Sequence, residues 1–223
     1  MKRKRILYLA ILAIVAVATA MWLARWNRLD TALSASGGLP MWCVIANVPH
    51  FLQNDERWAN DKIGATDETL AEVGCAVTSA AMVLANYGIE TDPAILNRFL
   101  TKHPQGYTAQ GWLYWETAAE FDASRTAGLL PHYEDAPSFR LIDTNLMRGN
   151  PVIVRVRMPS GTTHFVVVVG KRAFDYLALD PLVSEGVIPL KALDSPIEAL
   201  RFYSTFSLAQ PRSQVLHYQV HQK

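Results

Sequence analysis

Cys75 is placed where a cysteine side chain can act as a nucleophile. It follows Gly74 and begins an alanine-rich segment that has small and apolar residues at helical spacing, so a helix should start here. The positive end of the helix dipole and the free backbone N–H groups stabilise a thiolate at such a position. The alternative is that Cys75 is a small buried apolar residue, which is the common environment of a cysteine.

His164 and Asp180 could supply the base that a thiol nucleophile needs. His164 begins the apolar segment HFVVVVG after a Pro-Ser-Gly-Thr-Thr turn, and Asp180 ends the next apolar segment, FDYLALD. They lie eight positions on either side of Arg172, so a hairpin centred on the KRAFD connection would bring them to one edge of a sheet. Each also has a structural interpretation, His164 as a histidine bonded to the backbone and Asp180 as a strand terminator before proline.

Gln53 is a candidate for stabilising negative charge on a substrate oxygen. It lies 22 residues before Cys75 in the segment VPHFLQNDERW. Its side-chain amide could join the Cys75 backbone N–H in an oxyanion hole. By itself the residue is uninformative, because a polar loop glutamine is more often solvated.

The elements that would position these residues follow an α+β order. Helices are predicted over residues 75–87, 112–121 and 138–147. A further helix should begin after Asp92, which is placed to cap it, with Pro93 in its first turn. After Pro151, alternation and β-branched runs predict an antiparallel meander of PVIVRVRM, HFVVVVG and FDYLALD. Helices followed by strands are typical of an α+β domain, with the active site where the two halves meet.

Three of these segments together resemble cysteine peptidase family thirty-nine, which includes the double-glycine leader peptidases of bacteriocin exporters. They are VPHFLQNDERW, GCAVTSAAMVLANYGIETDPAILNRFL and HFVVVVGKRAFDYLALDP, over about residues 48–182. The resemblance implies a papain-like α+β fold, a peptide or protein substrate and no cofactor. It also implies roles: Cys75 as the nucleophile, His164 as the general base, Asp180 as the residue that orients the imidazole, and Gln53 as the oxyanion donor.

Two other functions are compatible with the same residues. Amidase or transpeptidase chemistry on cell-wall peptides would need the same residues, and its products would separate it from hydrolysis, since transfer requires an amine acceptor. A catalytically silent peptide-binding module would need only the groove. A Cys75 thiol that resists alkylation in the folded protein would favour that module.

The N-terminus predicts a membrane segment. Residues 6–24 are apolar and free of charge except for the polar Thr19, and a helix of this length crosses a bilayer. Four basic residues precede the run and two follow it, so the remainder should lie outside the cytoplasm. Trp22 and Trp26 favour a retained single-pass anchor, whereas Ala18-Thr19-Ala20 has the layout of a signal cleavage site and would give a secreted protein.

The domain boundaries follow from this segment. Residues 1–28 are expected to form the signal anchor or signal peptide. Residues 29–40 mix small and polar residues with a glycine pair, which predicts a linker. Residues 41–223 then form the papain-like cysteine peptidase-like domain.

Composition and charge exclude several classes of partner. The net charge is +1, but residues 1–28 carry six basic residues and no acidic one, which leaves −5 on the rest of the chain. An acidic body has no basic surface for nucleic acid. Cysteines and histidines are scattered singly, so no metal site is expected, and a disulfide between Cys43 and Cys75 is not expected because it would remove the nucleophile.

Overall fold

A computed structural model describes residues 2–28, 31–122 and 129–205 as helices on an antiparallel sheet, which confirms the predicted α+β class. The helices are α1 (Lys2–Asn27), α2 (Leu70–Val73), α3 (Cys75–Asn86), α4 (Pro93–Lys102), α5 (Trp115–Ala119) and α6 (Phe139–Met147). The strands are β1 (Ser36–Val44), β2 (Leu129–Glu134), β3 (Val152–Arg157), β4 (Thr163–Leu179), β5 (Val187–Pro189) and β6 (Ala199–Thr205).

The described strands form one sheet in the order β1-β4-β3-β6-β2, and β5 pairs with the C-terminal part of β4. All five pairings are antiparallel. Apolar residues fill both faces of the centre of the sheet. Val152 and Val154 of β3 belong to a core under α6, whereas Ile153 belongs to a core under α3, α4 and α5. Further along β3 the predicted polar positions Arg155 and Arg157 pair with Glu198.

Helix boundaries follow the capping signals in the sequence. The Asp92 side chain accepts a hydrogen bond from the Ile95 N–H at 2.7 Å, with Pro93 in the first turn, so α4 begins as predicted. Ser138 caps α6 in the same way, at 3.3 Å from the Leu141 nitrogen. The helix predicted over residues 112–121 is shorter, since only Trp115–Ala119 is helical.

Residues 33–40, which the composition assigns to a linker, take part in the fold. Leu33 is 4% exposed and bridges Ile197 with two backbone hydrogen bonds. Ser36 begins β1, so the sheet starts well before Met41. The reason is burial: Leu33 and Ala35 pack into the core under α6. The small and polar residues around them conceal this pattern in the sequence.

The end of the predicted domain has two parts. Residues 199–205 form β6, an internal strand between β3 and β2, although no sequence motif marks them. Residues 206–223, which the domain prediction includes, lie outside the described residues.

The connection predicted at KRAFD also has a different structure. Residues 163–179 belong to the one strand β4, which continues through the predicted connection, and residues 170–175 pair with β1. A straight strand would put residues 164 and 180 about 50 Å apart, yet their side chains are in contact. The chain therefore turns back within β4, and Ala173, with a φ of 54°, has the left-handed backbone of a turn.

Candidate active site

Cys75 is the first residue of α3, and Gly74 is the residue that precedes the helix. A Cβ atom at Gly74 would collide with the carbonyl oxygen of Leu70, so the tight passage from α2 into α3 requires glycine. No side chain caps the start of α3. The N–H groups of the first turn, where the thiol lies, therefore have no capping side-chain oxygen.

Helix α3 is fixed against the strand that carries His164. The Ser79 hydroxyl donates a hydrogen bond to the carbonyl oxygen of Phe165 at 3.2 Å. His164 lies near the start of β4, opposite Val156 of β3. This contact brings the histidine next to the N-terminus of α3, where the thiol begins the helix.

His164 contacts two of the predicted residues at once. Its Nε2 atom donates to Oδ1 of Asp180 at 2.8 Å, and the Cys75 side chain is close enough to raise the pKa of the ring. Because Asp180 occupies Nε2, the nitrogen that remains for the thiol is Nδ1. Asp180 is itself fixed, since Oδ1 accepts a second hydrogen bond from the Leu182 N–H at 2.8 Å. The structure thus brings Cys75, His164 and Asp180 together in that order.

The electrostatics of this cluster favour a protonated imidazole. Burial alone would lower the pKa of His164, because a charged ring loses its hydration. The hydrogen bonds to Asp180 and Cys75, and the negative charges of these two groups, outweigh burial and raise the pKa to about 9. His164 and Asp180 are 3% and 1% exposed, so water screens their attraction weakly.

Gln53 lies between the two segments that carry the other residues. Its backbone N–H donates to the carbonyl oxygen of Pro181 at 2.9 Å, directly after Asp180. Its side-chain Nε2 donates to the carbonyl oxygen of Ala71 at 2.8 Å, in the helix that precedes Cys75. A primary amide has two N–H donors, so one of them remains for another acceptor. Gln53 is 2% exposed, and its Oε1 atom has no partner among the described residues.

His50 also contacts this cluster, although sequence reasoning does not single it out. Its Nε2 atom donates to the backbone carbonyl oxygen of Asp180 at 2.9 Å. The only available signal is its position three residues before Gln53 in the segment VPHFLQNDERW. The contact holds the backbone on which the Asp180 side chain is mounted.

The remaining candidates lie elsewhere. Cys43 is in β1, opposite Lys171, and both it and Cys75 are free thiols. Within the described residues, no three His, Cys, Asp or Glu side chains are grouped as metal ligands would be.

A protein-family model matches most of the chain. The model of the Peptidase_C39 like family matches residues 45–190, which is more than half of the chain. Comparison with curated proteins gives no significant match.

Several solved structures are similar to the chain, among them the following three. A protein described as a C39-like peptidase from Bacillus anthracis is 16% identical over 75% of this chain and 100% of its own, with a TM-score of 0.48. The peptidase domain of Streptococcus ComA, a bi-functional ABC transporter of a quorum sensing pathway, is 22% identical over 59% and 90%, with a TM-score of 0.41. A double glycine motif protease from an AMS/PCAT transporter, in complex with its leader peptide, is 17% identical over 74% and 97%, with a TM-score of 0.41.

Proposed function

The chain belongs to the Peptidase_C39 like family and is a cysteine-type peptidase; from this premise we propose that it hydrolyses peptide bonds through Cys75, His164, Asp180 and Gln53, outside the cytoplasm. The observation that carries the assignment of residues is the position of His164. Its ring donates to Asp180 through Nε2, and the Cys75 side chain is close enough to raise the pKa of the ring. A base held between an orienting carboxylate and a nucleophile is the arrangement that acyl transfer requires.

The first half of the reaction forms an acyl-enzyme. The Cys75 thiolate, paired with the His164 imidazolium, attacks the carbonyl carbon of the scissile amide, and the carbonyl π electrons move to oxygen. The free N–H of Gln53 and the backbone N–H of Cys75 stabilise that oxyanion. When the tetrahedral intermediate collapses, the C–N bond breaks and His164 gives its proton to the leaving amine.

The second half regenerates the enzyme. His164, now neutral, takes a proton from a water molecule, which attacks the thioester carbonyl carbon. The C–S bond breaks, the peptide acid leaves and the thiolate and imidazolium are restored. Asp180 keeps Nε2 as the protonated nitrogen throughout, so Nδ1 stays available for the proton that is transferred.

The location follows from α1. The segment Lys4–Asn27 is apolar enough and long enough to cross a membrane, and its described side chains are exposed almost throughout. With four basic residues before the apolar run and two after it, the positive-inside rule puts the peptidase domain on the extracytoplasmic side. We therefore assign α1 as a single-pass anchor, with exported or membrane-proximal peptides as substrates.

The test of the site is the pH dependence of Cys75 alkylation by iodoacetamide, measured on the full chain with Cys43→Ser. His164→Ala is compared with the control His103→Ala. The control removes a histidine that follows α4 and packs on Phe99. The control should react well below pH 8.5, the ordinary pKa of a thiol, and His164→Ala should lose this reactivity. An unreactive thiol, or equal rates in the two variants, contradicts the proposed nucleophile and base.

A further inference from the structure

The outward face of β1 is apolar and uncovered. Its inward residues Met41 and Cys43 pack on the core under α6, whereas the alternating residues Trp42 and Val44 are 74% and 54% exposed. Strand β1 is at the edge of the sheet and pairs only with β4 among the described strands. An exposed apolar edge strand promotes aggregation unless something covers it.

The C-terminal end of α1 lies against the same two strands, β1 and β4, on the face of the sheet that carries α6. The Trp26 indole Nε1 donates to Oδ2 of Asp143 at 3.0 Å, which fixes the helix end to α6. One turn earlier, Trp22 lines a shared groove with Gly37 of β1 and Phe174 of β4. Phe174 is 47% exposed. It therefore lies beside a tryptophan that is within the apolar run of residues 6–24.

We propose that this edge, made of Trp42, Val44, Arg172 and Phe174, rests in the headgroup region of the bilayer. The inference depends on the proposed membrane anchor, because α1 sets the depth of the edge. If Trp22 lies at the membrane interface, then Phe174 beside it lies there too. Trp and Phe side chains are suited to this region, where an apolar ring meets a polar boundary.

The charges on this edge fit the phosphates of lipid headgroups. Arg172 is directly opposite Trp42 in the β1–β4 register and is exposed, and Arg25 lines the groove beside Trp22. The neighbouring acid Asp175 is already paired with Lys191 at 2.7 Å. Long basic side chains beside aromatic rings can reach phosphate groups while their stems stay in apolar surroundings.

A peptidase held in this way works at a fixed height above the membrane. The domain would be attached at two places, by Trp26 on Asp143 and by the β1–β4 edge on lipid. Cys75 would then meet chain segments that emerge close to the bilayer in preference to freely diffusing folded proteins.

The test is lipid quenching of a fluorescent label on the full chain in nanodiscs. In a background with Cys43→Ser and Cys75→Ser, Trp42→Cys is labelled with an environment-sensitive dye, and nitroxide-bearing lipid is added to the bilayer. The matched control is Trp112→Cys, because Trp112 is 72% exposed but adjoins Leu113, which packs on the core under α3, α4 and α5 and not on the core that contacts α1. Phe174→Cys is a second reporter in case position 42 does not tolerate cysteine.

The expected result is a loss of fluorescence at positions 42 and 174 in the presence of nitroxide lipid, and none at position 112. Equal quenching at all three positions, or no quenching at 42 and 174, overturns the docking of this edge. Extraction of membranes with alkaline carbonate tests separately whether α1 anchors the chain in the membrane. Release of the chain overturns the anchor and the docking with it, whereas a retained chain with unquenched labels overturns the docking alone.

Discussion

Nε2 of His164 lies 2.8 Å from Oδ1 of Asp180, although the two residues are at opposite ends of the long strand β4, which turns back on itself between them. Because the carboxylate occupies this nitrogen, Nδ1 is the ring nitrogen that remains for the Cys75 thiol. The two contacts act on opposite nitrogens of the same imidazole ring, so a change at Asp180 should be detected at Cys75. This coupling underlies the predictions about alkaline pH and about Asp180→Asn.

Cys75→Ala should abolish peptide hydrolysis and leave the fold intact. Removal of the nucleophile of a comparable triad lowers the rate by far more than about 10³-fold. The measurement is kcat/KM on a mixture of peptides, with circular dichroism to check folding. The matched control is Cys43→Ser, which changes the other free thiol and should keep activity. Retained hydrolysis in Cys75→Ala would place the nucleophile elsewhere.

The activity should decline at alkaline pH because His164 must be protonated to pair with the thiolate. Burial lowers the pKa of His164, but Asp180 and Cys75 raise it to about 9. The pair is therefore lost as the pH rises through about 9. A raised pKa also stabilises the fold: the contribution is complete below about 6.5, the pKa in the unfolded chain, and disappears between about 6.5 and 9.

Asp180→Asn should move this alkaline limb to lower pH. Asparagine keeps an oxygen that accepts from Nε2 but removes the negative charge that raises the His164 pKa. The pH profile of kcat/KM measures the shift, and Asp67→Asn, which changes an exposed carboxylate paired with Lys62, should leave the limb in place. An unmoved limb in Asp180→Asn would mean that the limb reports another group.

The sequence predicts the helices and the contact at the site better than it predicts the sheet. Asp92, Pro93 and Gly88 mark helix ends because their effects are local. The symmetric spacing of His164 and Asp180 about Arg172 is sufficient to bring them together, even though residues 170–175 pair with β1 instead of forming an open loop. Spacing is informative here since a chain reversal fixes which residues meet.

The sequence analysis missed four strands, β1, β2, β5 and β6, and two of them show that such strands depend on distant partners. In β1, glycines and a proline conceal the alternation of Met41 and Trp42, and the strand is recognisable only once β4 lies beside it. Strand β6 lies between β3 and β2, far from both in sequence. The buried pair of Asp143 and Lys171 was missed for a different reason. Charged residues are normally expected at the surface.

Gln53→Ala should lower kcat with little change in KM. Loss of one oxyanion donor reduces kcat by about 10²–10³-fold, since the oxyanion is present only in the transition state and intermediate. The hydrogen bond from Nε2 to Ala71 is lost as well, at a cost of about 1 kcal/mol of unfolding free energy, so the assay needs conditions in which the variant is folded. Gln110→Ala, at an exposed loop position, is the control. A rise in KM alone would make Gln53 a substrate-binding residue.

Asp143→Ala should destabilise the domain more than Lys171→Met does. Both side chains are fully buried, and Nζ of Lys171 donates to Oδ1 at 2.8 Å. The Asp143 carboxylate also accepts from the Tyr176 hydroxyl at 2.9 Å, the Trp26 indole at 3.0 Å and the Leu39 N–H at 2.7 Å. Its removal leaves a buried cation and three donors without an acceptor, which should cost about 3–5 kcal/mol.

Lys171→Met leaves the carboxylate with three donors and replaces the lysine stem by an apolar chain of similar length. The expected loss is smaller, about 1–3 kcal/mol. Urea unfolding in detergent measures both, and Asp175→Asn is the reference, because it breaks the largely exposed pair with Lys191 and should change the free energy by less than about 1 kcal/mol. If Lys171→Met costs as much as Asp143→Ala, the ion pair itself, and not the convergence of donors, holds α1, β1 and α6 together.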